Sequence, residues 1–374
     1  MANNSKLDLR LQQIPAEIWS KITKIDELKG QWIAGARLSP QVLNRLKRSV
    51  LITSTGASTR IEGAKLSDED VEKLMRGIDI QKFTNRDKQE VRGYFELLEN
   101  IFDSCLPAEA SAQAGKSLKF SENTIKHFHK ELLKYVEKDQ DYLGDYKKRE
   151  NQVQMINAAG ESLGVLFDTT PAYLAPKEIQ ELVEWTQQAL AEKKYHPLLI
   201  VGNFLVEFLQ IHPFQDGNGR LSRVLTNLLL LQEGYLYMPY VSHEKFVEDN
   251  KPEYYLALRQ SQKTFKTPKD SKLPTGQAEN KTIIPWLDFF LTIFLKQSEM
   301  AIDLLSKENI ERLLTQKQLA VWDYLQKVDS ATPREISEKT KVAYPTVRQA
   351  INKLMRLKKI ERIGQGRSTS YRKL

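Results

Sequence analysis

Along most of the chain apolar residues recur every three or four positions, the period of an amphipathic helix. Ile22, Ile25 and Leu28, with Trp19 one turn ahead, predict a helix over about Ala16–Lys29, and a second follows over Pro40–Thr53. Ser54-Thr55-Gly56 interrupts the pattern, so a separate short helix is expected near Ser58–Gly63. Ser67, followed by Asp68, Glu69 and Asp70, marks another helix start. Val91, Tyr94, Leu97, Leu98 and Ile101 define a long helix over 85–105, and a loop is expected over 106–119. Ser121 caps the helix that carries Ile125, Phe128, Leu132 and Leu133. Further helices are expected at Pro176–Lys193, His196–Ile211, Gly219–Glu233, Pro252–Lys266 and Ile283–Lys307, with a polar linker over 267–281. Gly144–Ala175 is the least helical stretch. There Val153, Met155 and Ile156, then Gly160, then Leu163, Val165 and Leu166 predict a small β-hairpin.

The last sixty residues have their own pattern. Thr315–Lys327 is one predicted helix. Thr332, Pro333 and Glu335 form a capping-box start for a second, and a third is predicted over Pro345–Leu357. Ile360–Ile363 and Thr369–Arg372, joined across Gly364-Gln365-Gly366, predict two short strands. Three helices and such a hairpin resemble a winged helix-turn-helix domain. The expected fold class is therefore all-α, with two small hairpins.

Composition narrows the function classes. The chain has 374 residues, 41% of them hydrophobic, which is ample for a core and excludes a chain disordered throughout. Its most apolar run, Pro197–Ile211, is short and contains Asn203, Glu207 and Gln210, so no membrane span is expected. The single cysteine, Cys105, excludes an intrachain disulfide and fits a cytoplasmic protein. The net charge of +8 is uneven: residues 311–374 hold 15 Lys/Arg against 6 Asp/Glu, a surplus of +9, and the rest is near −1. A basic tail on a neutral body points to DNA as the tail's partner, with dimerisation as the alternative. The residues placed to meet DNA are Thr346, Arg348, Gln349 and Lys353 on the third tail helix, with Arg367 between the strands.

The chemistry concentrates in residues 212–223, His-Pro-Phe-Gln-Asp-Gly-Asn-Gly-Arg-Leu-Ser-Arg. Gly217 and Gly219 let backbone N–H groups converge without Cβ obstruction at the start of a helix, which adds its partial positive charge. Arg220 and Arg223 are three apart on that helix and can grip phosphate oxygens. Asp216 can hold Mg²⁺, which takes few carboxylates and completes its shell with phosphate oxygens. His212 can accept a proton near neutral pH. The set describes a polyphosphate cradle with a general base beside it. Neither a Walker A sequence nor Gly-x-Gly-x-x-Gly is present, which disfavours a P-loop or Rossmann enzyme.

This stretch resembles the signature of the Fic (filamentation induced by cAMP) family, His-Pro-Phe-x-Asp/Glu-Gly-Asn-Gly-Arg-x-x-Arg, at every position. The resemblance covers roughly residues 50–265. It implies a helical fold and transfer of AMP from Mg²⁺-ATP to a Ser, Thr or Tyr hydroxyl of a target protein. It implies that His212 deprotonates the hydroxyl, Phe214 anchors the loop and Asp216 binds the metal. Gly217, Asn218 and Gly219 would cradle phosphates, and Arg220 and Arg223 would hold the β and γ phosphates. The 144–166 region would be a flap that docks the target backbone by strand addition. Asn250, Tyr254 and Tyr255 lie where family members contact the nucleotide; helix packing is the alternative. Upstream, Ser58-Thr59-Arg60-Ile61-Glu62-Gly63 resembles the family's inhibitory motif, Ser/Thr-x-x-x-Glu-Gly/Asn, which implies that Glu62 restrains Arg223.

The expected organisation is an N-terminal helical region over 1–110 with the inhibitory helix near 54–63, a catalytic core over 111–266, a linker and connecting helix over 267–310, and the tail domain over 311–374. Removal of AMP from the same target is one alternative function, and a DNA-binding regulator with a nucleotide-sensing core is another. Other chemistry-bearing residues carry weaker readings. His129 is expected in the core, His196 and His243 have no partner spacing, and Lys147-Lys148-Arg149 reads as a solvated charge run.

Overall fold

The computed structural model describes residues 5–35, 38, 40–77, 85–105, 118–156, 162–263, 282–357, 359–364 and 369–374. The expected loop over 106–119 and the linker over 267–281 fall largely outside them. The chain divides into two compact units, Met1–Ile302 and Asp303–Leu374, with the division inside a long helix rather than in the polar linker.

The first unit is helical around two central elements. Helices α1 (Lys6–Leu9), α2 (Ala16–Gly35), α3 (Pro40–Ile61), α4 (Asp68–Met75), α5 (Asn85–Cys105) and α6 (Glu122–Leu133) precede an antiparallel hairpin of β1 (Gln152–Ile156) and β2 (Ser162–Asp168). Helices α7 (Ala175–Ala191), α8 (Pro197–Ile211), α9 (Asn218–Gln232), α10 (His243–Asp249), α11 (Lys251–Lys263) and α12 (Ile284–Leu313) follow. Every residue of α8 from Leu198 to Ile211 is buried, and so is nearly all of α9. A helix apolar on every side can only sit at the centre of a fold. Helix α7 packs on α8, and α5 and α6 pack on α9.

Two of the polar residues within α8, Glu207 and Asn203, meet the N-terminal segment. The buried Glu207 carboxylate pairs with Lys6 at 2.6 Å and Arg10 at 2.7 Å, and Asn203 Nδ2 donates to the Leu7 carbonyl at 3.0 Å. Gly202 lets α12 approach, since its carbonyl accepts from Trp286 Nε1 at 2.8 Å.

Two expectations require correction. Ser54-Thr55-Gly56 does not break a helix: α3 runs unbroken to Ile61. Ser54, Thr55, Ala57, Ser58 and Thr59 are all buried, so these small residues let α3 pack closely on several sides, against α10, α5 and α9. Ser54 and Ser242 hydroxyls meet at 2.8 Å, and Arg60 grips Glu248 with two bonds of 2.5 and 3.0 Å. Tertiary packing has overridden weak helix propensity. Second, Trp19 is 44% exposed; the buried stripe of α2 is Ile18, Ile22, Ile25, Leu28 and Trp32.

In the second unit, α13 (Gln316–Leu325), α14 (Pro333–Thr340) and α15 (Tyr344–Arg356) surround a core of Val321, Leu325, Ile336, Val347, Ile351 and Leu354. An antiparallel pair, β3 (Ile360–Ile363) and β4 (Ser370–Lys373), packs its Ile360 on the same core. Thr332 and Glu335 form the expected capping box, with Pro333 at the first helical position.

Gly93 sets the spacing of α5 and α6. A Cβ there would lie 2.1 Å from the Leu132 carbonyl oxygen, a backbone atom that cannot step aside. Gly93→Ala is therefore expected to destabilise the first unit by about 1–3 kcal/mol, the usual cost of overpacking, measured as a fall in the denaturation midpoint.

Candidate active site

Residues 212–223 lie where the two central helices meet. Helix α8 ends at His212, whose backbone is left-handed (φ 51°, ψ 60°), an uncommon conformation for a residue with a Cβ. Helix α9 begins at Asn218, and its N-cap is Gly217, with φ 79°. Four residues therefore turn the chain between the last turn of one buried helix and the first turn of the next.

Three contacts shape that turn. The Phe214 ring is fully buried and stacks on His129, with centroids 4.0 Å apart and planes within 7°. Asn218 Oδ1 accepts from the Phe214 N–H at 3.0 Å while its Nδ2 donates to the Phe214 carbonyl at 2.8 Å. The His129 Nδ1 accepts from the Gly144 N–H at 2.9 Å, so its proton sits on Nε2, which donates to the Asp216 carbonyl at 3.1 Å. His129 is thus a core histidine that also braces the loop. The Asn218 side chain is used in holding the turn's backbone rather than in lining the cradle.

The His212 ring is turned by its own helix. Nδ1 lies 3.3 Å from the Leu209 carbonyl, which places the proton on Nδ1 and leaves the Nε2 lone pair unprotonated. Burial and the nearby Lys147 ammonium push the imidazole down to about 4, against the opposing pull of the Leu209 carbonyl, Glu62 and Asp216. At neutral pH the group is an imidazole ready to accept a proton.

Charged residues surround the mouth of the loop. Asp216 pairs with Arg86 at 2.7 Å and Arg220 at 3.1 Å. Burial opposes its charge, but Arg220, the Gly217 N–H and Arg86 hold the carboxyl below the usual range. Arg220 is buried and also meets Glu90 at 2.7 Å. Arg223 is buried as well: Nε donates to Ser58 Oγ at 2.8 Å, and Nη2 donates to the Ser58 carbonyl at 3.0 Å and to Glu62 Oε1 at 2.7 Å. Its Nη1 is buried with no hydrogen-bond partner among the described residues. The Glu62 carboxylate lies directly over the start of α9, where a Cβ on Gly219 would come within 2.2 Å of Oε1. Gly63 ends the preceding segment at φ 104° with open space around it, so its requirement is conformational.

Behind Arg223 lies a buried polar layer without any signal in the linear pattern. Glu244 accepts from Tyr94 at 2.9 Å and from Asn227 Nδ2 at 2.7 Å, and the same Nδ2 donates to the Arg223 carbonyl at 3.0 Å. Burial and Glu244 raise the Tyr94 hydroxyl well above its ordinary range, so it stays a donor. Arg86, Glu90, Tyr94 and Glu244 lie far from the loop in sequence; only the turns of α5 and α10 bring them in.

The remaining candidates divide. Tyr254 is buried beside Arg223 and Ser222 and packs on Trp286 and Tyr255. Asn250 ends α10, and its amide donates to the Phe246 carbonyl at 2.8 Å. His196 bonds Asp26 at 2.8 Å, while His243 is buried against Gln297 at 3.1 Å and lines a pocket with Ser222, Arg223 and Tyr254. Lys147 is not part of a solvated run: it is 4% exposed, and its ammonium is fully bonded within the fold. The Cys105 thiol is pushed up to about 11 by burial, which leaves it unreactive. In the second unit Arg348 and Gln349 are exposed on α15 and Thr346 is half-buried, while Lys353 turns back to the Leu313 carbonyl. Arg367 lies outside the described residues.

The donor set accommodates the expected ligands. Arg223 Nη1, which has no hydrogen-bond partner among the described residues, and the start of α9, which no side chain caps by a hydrogen bond but over which the Glu62 carboxylate lies, suit a phosphate. Among the described residues no group of three or more His, Cys, Asp or Glu can hold a metal by itself. Asp216 alone fits Mg²⁺ only as one ligand of an ion that arrives with phosphate oxygens.

Residues 119–230 match the model described as the Fic/DOC family. It is 33% identical over 84 residues to a probable protein adenylyltransferase of Aquifex aeolicus (strain VF5), a match covering 22% of this chain and 25% of that protein. It is 33% identical over 99 residues to a Fido domain-containing protein of Dictyostelium discoideum, covering 24% of this chain and 65% of that one. The crystal structure of a Fic family protein from Desulfovibrio desulfuricans G20 covers 97% of each chain with a TM-score of 0.59 and 22% identity, which establishes a shared fold. The matched segments thus span a quarter of the first curated relative's length and about two thirds of the second's. No described helix is long and apolar enough to cross a membrane.

The depressed His212 titration has a thermodynamic consequence. The unfolded chain takes up the proton near the ordinary value of 6.5 and the folded chain only near 4, so stability falls as pH drops through that window. His212→Gln is expected to lose less melting temperature between pH 7 and pH 5 than the native protein; equal losses would contradict the burial of a neutral imidazole.

Proposed function

We propose that the chain is a protein adenylyltransferase that moves AMP from ATP to a Ser, Thr or Tyr hydroxyl of a target protein and is held back by its own Glu62. The observation that carries this reading is the pairing of a neutral, lone-pair-bearing His212 with an anion cradle at the start of the next helix, both in one twelve-residue turn.

The acceptor O–H attacks the α-phosphorus of ATP. Its proton passes to His212 Nε2, the new O–P bond forms, and the bond from the α-phosphorus to the β-phosphate oxygen breaks to release pyrophosphate. The start of α9 and Arg223 hold the phosphates, and Arg220, ion-paired to Asp216 and Glu90, adds positive charge at the same end. A Mg²⁺ ion held by Asp216 would neutralise phosphate charge. The open edges of the two-stranded β1–β2 sheet offer a backbone for the acceptor segment to pair with. The lone cysteine fits a cytoplasmic setting.

Glu62 supplies the restraint. Its carboxylate occupies Arg223 and the space over Gly219 where a γ-phosphate would sit. Bound ATP would then be displaced, turning its α-phosphate out of line with the acceptor. Misplacement of that size costs about 100-fold. Ser58 holds Arg223 independently, so removal of Glu62 leaves the guanidinium in position. Glu62→Gly is accordingly expected to raise incorporation of AMP from labelled ATP by about 100-fold, and adding His212→Ala to lower it by about 10²–10⁴-fold. Unchanged or reduced incorporation in folded Glu62→Gly protein would defeat the inhibitory role. Release of AMP from a modified target by the native protein, with Glu62 orienting water, would favour removal over addition.

A second reading concerns the tail, whose helices and hairpin we take as a winged-helix DNA-binding domain. Arg348 and Gln349 stand exposed on one helix of a segment with a +9 surplus. The full chain is expected to bind duplex DNA with an affinity that falls as salt rises, and Arg348→Ala to weaken it. Absence of binding at low salt, with a dimer in solution, would assign the tail to self-association.

A further inference from the structure

The turn that carries His212 is held by the base of the β1–β2 hairpin through the carbonyls on either side of it. The Thr170 N–H donates to the Gln210 carbonyl at 3.2 Å, and Lys147 Nζ to the Ile211 carbonyl at 3.1 Å. Beyond the histidine, the Lys147 N–H donates to the Pro213 carbonyl at 2.9 Å, and Asn151 Nδ2 to the Phe214 carbonyl at 3.0 Å. The four carbonyls flanking a left-handed His212 are thus all bonded by residues at the two feet of the hairpin.

Lys147 joins the two feet. Its ammonium has three donors and three acceptors: Asn151 Oδ1 at 2.8 Å before β1, Thr169 Oγ1 at 2.8 Å after β2, and the Ile211 carbonyl. Thr169 in turn donates toward Asn151, whose O and Oδ1 lie at 2.8 and 2.7 Å. A buried lysine is costly, and among the described residues no carboxylate touches this ammonium directly to offset the cost. A hydrophobic residue of similar length would fill the space, so the charge itself calls for an explanation.

We propose that Lys147 is a positioning residue for AMP transfer, clamping both feet of the hairpin to the carbonyl next to His212 so that the acceptor-binding strand and the base move as one unit. The inference rests on the adenylyltransferase reading for its consequence, but the clamp itself can be judged without turnover. The charged groups around His212 are Lys147, Glu62 from the end of α3, and Asp216 from its own loop. Around Lys147 they are Glu150 and Glu178. Burial pulls the ammonium down to about 8, so it is still mostly charged at pH 7 and depresses His212.

The test uses the full chain with Lys147→Met and, separately, Thr169→Val. Imidazole titration by NMR follows His212 among the five histidines, assigned by the signal lost in His212→Ala. In Lys147→Met the His212 midpoint is expected to rise by about one pH unit, as when a like charge leaves the vicinity. In the Glu62→Gly background the same change is expected to lower kcat for transfer by about 100-fold and to leave affinity for a non-hydrolysable ATP analogue within about twofold. Thr169→Val, which keeps the charge and removes one tether, is expected to lower kcat about tenfold with the midpoint unmoved. An unmoved His212 midpoint in folded Lys147→Met overturns the proposal, as does an unchanged kcat in both variants. If Lys147→Met does not fold, an unchanged kcat in Thr169→Val overturns it. If the Glu62→Gly background transfers no AMP, the proposed activity falls, and an unmoved His212 midpoint in folded Lys147→Met still overturns the clamp, which requires the ammonium to lie beside His212.

Discussion

A guanidinium that is 3% exposed needs an anion beside it, and this fold supplies one to Arg223 from its own chain. Burial alone would make the arginine easier to deprotonate, but Glu62, with Tyr254 and Tyr94, more than compensates and raises its affinity for the proton. The arginine is useful to a phosphate ligand for the same reason. A site built to be satisfied by a carboxylate at 2.7 Å will also accept a phosphate oxygen, and the two compete for one position. Helix α3 must therefore be placed well, which accounts for its closely packed small residues and for the Arg60–Glu248 pair that fastens its end to α10.

Under the proposed function, that rigidity limits how the restraint by Glu62 would be lifted. The last two turns of α3 are buried on several sides, so detaching the whole helix would expose Ser54, Thr55, Ala57, Ser58 and Ile61 together. Glu62 differs, because it lies beyond the helix end and its side chain is 34% exposed. Rotation of one side chain costs far less than displacement of a packed helix. Ser58 would stay on Arg223 throughout.

Sequence reasoning reached the site further than it reached the site's support. The 212–223 turn was legible because its function needs special residues in a row: glycines where a Cβ would obstruct, an acid and two arginines. The helices were legible wherever one face is apolar, as in α5, and the capping residues Ser67, Ser121 and Thr332 were found where expected. The break expected at Ser54-Thr55-Gly56 failed because small polar residues signal a turn locally and close helix packing in tertiary context. Lys147 was misread for a related reason. In the linear pattern Lys147-Lys148-Arg149 is a charge run, and only the return of the chain at Thr169 and at Ile211 brings three acceptors to the first of the three. Arg86, Glu90 and Glu244 were invisible because ion pairs and buried networks between distant helices leave no periodicity.

These supports divide into two sets that come from different elements. The side proposed to bind phosphate, Arg223 and the start of α9, leans on α3 through Ser58 and on α10 through Glu244 and Asn227. The proton-accepting side, His212, leans on the hairpin base through four flanking carbonyls and on α6 through His129 beneath Phe214. Between the two sides only residues 213–222 run continuously, and they form a single turn and the first turns of α9. In-line transfer requires both sides to hold their places relative to one phosphorus atom. A perturbation of α3 should therefore alter how the nucleotide sits, while one at the hairpin base should alter how the acceptor meets His212. Under the proposed function, the separation would let one residue restrain the nucleotide while the base keeps its working geometry.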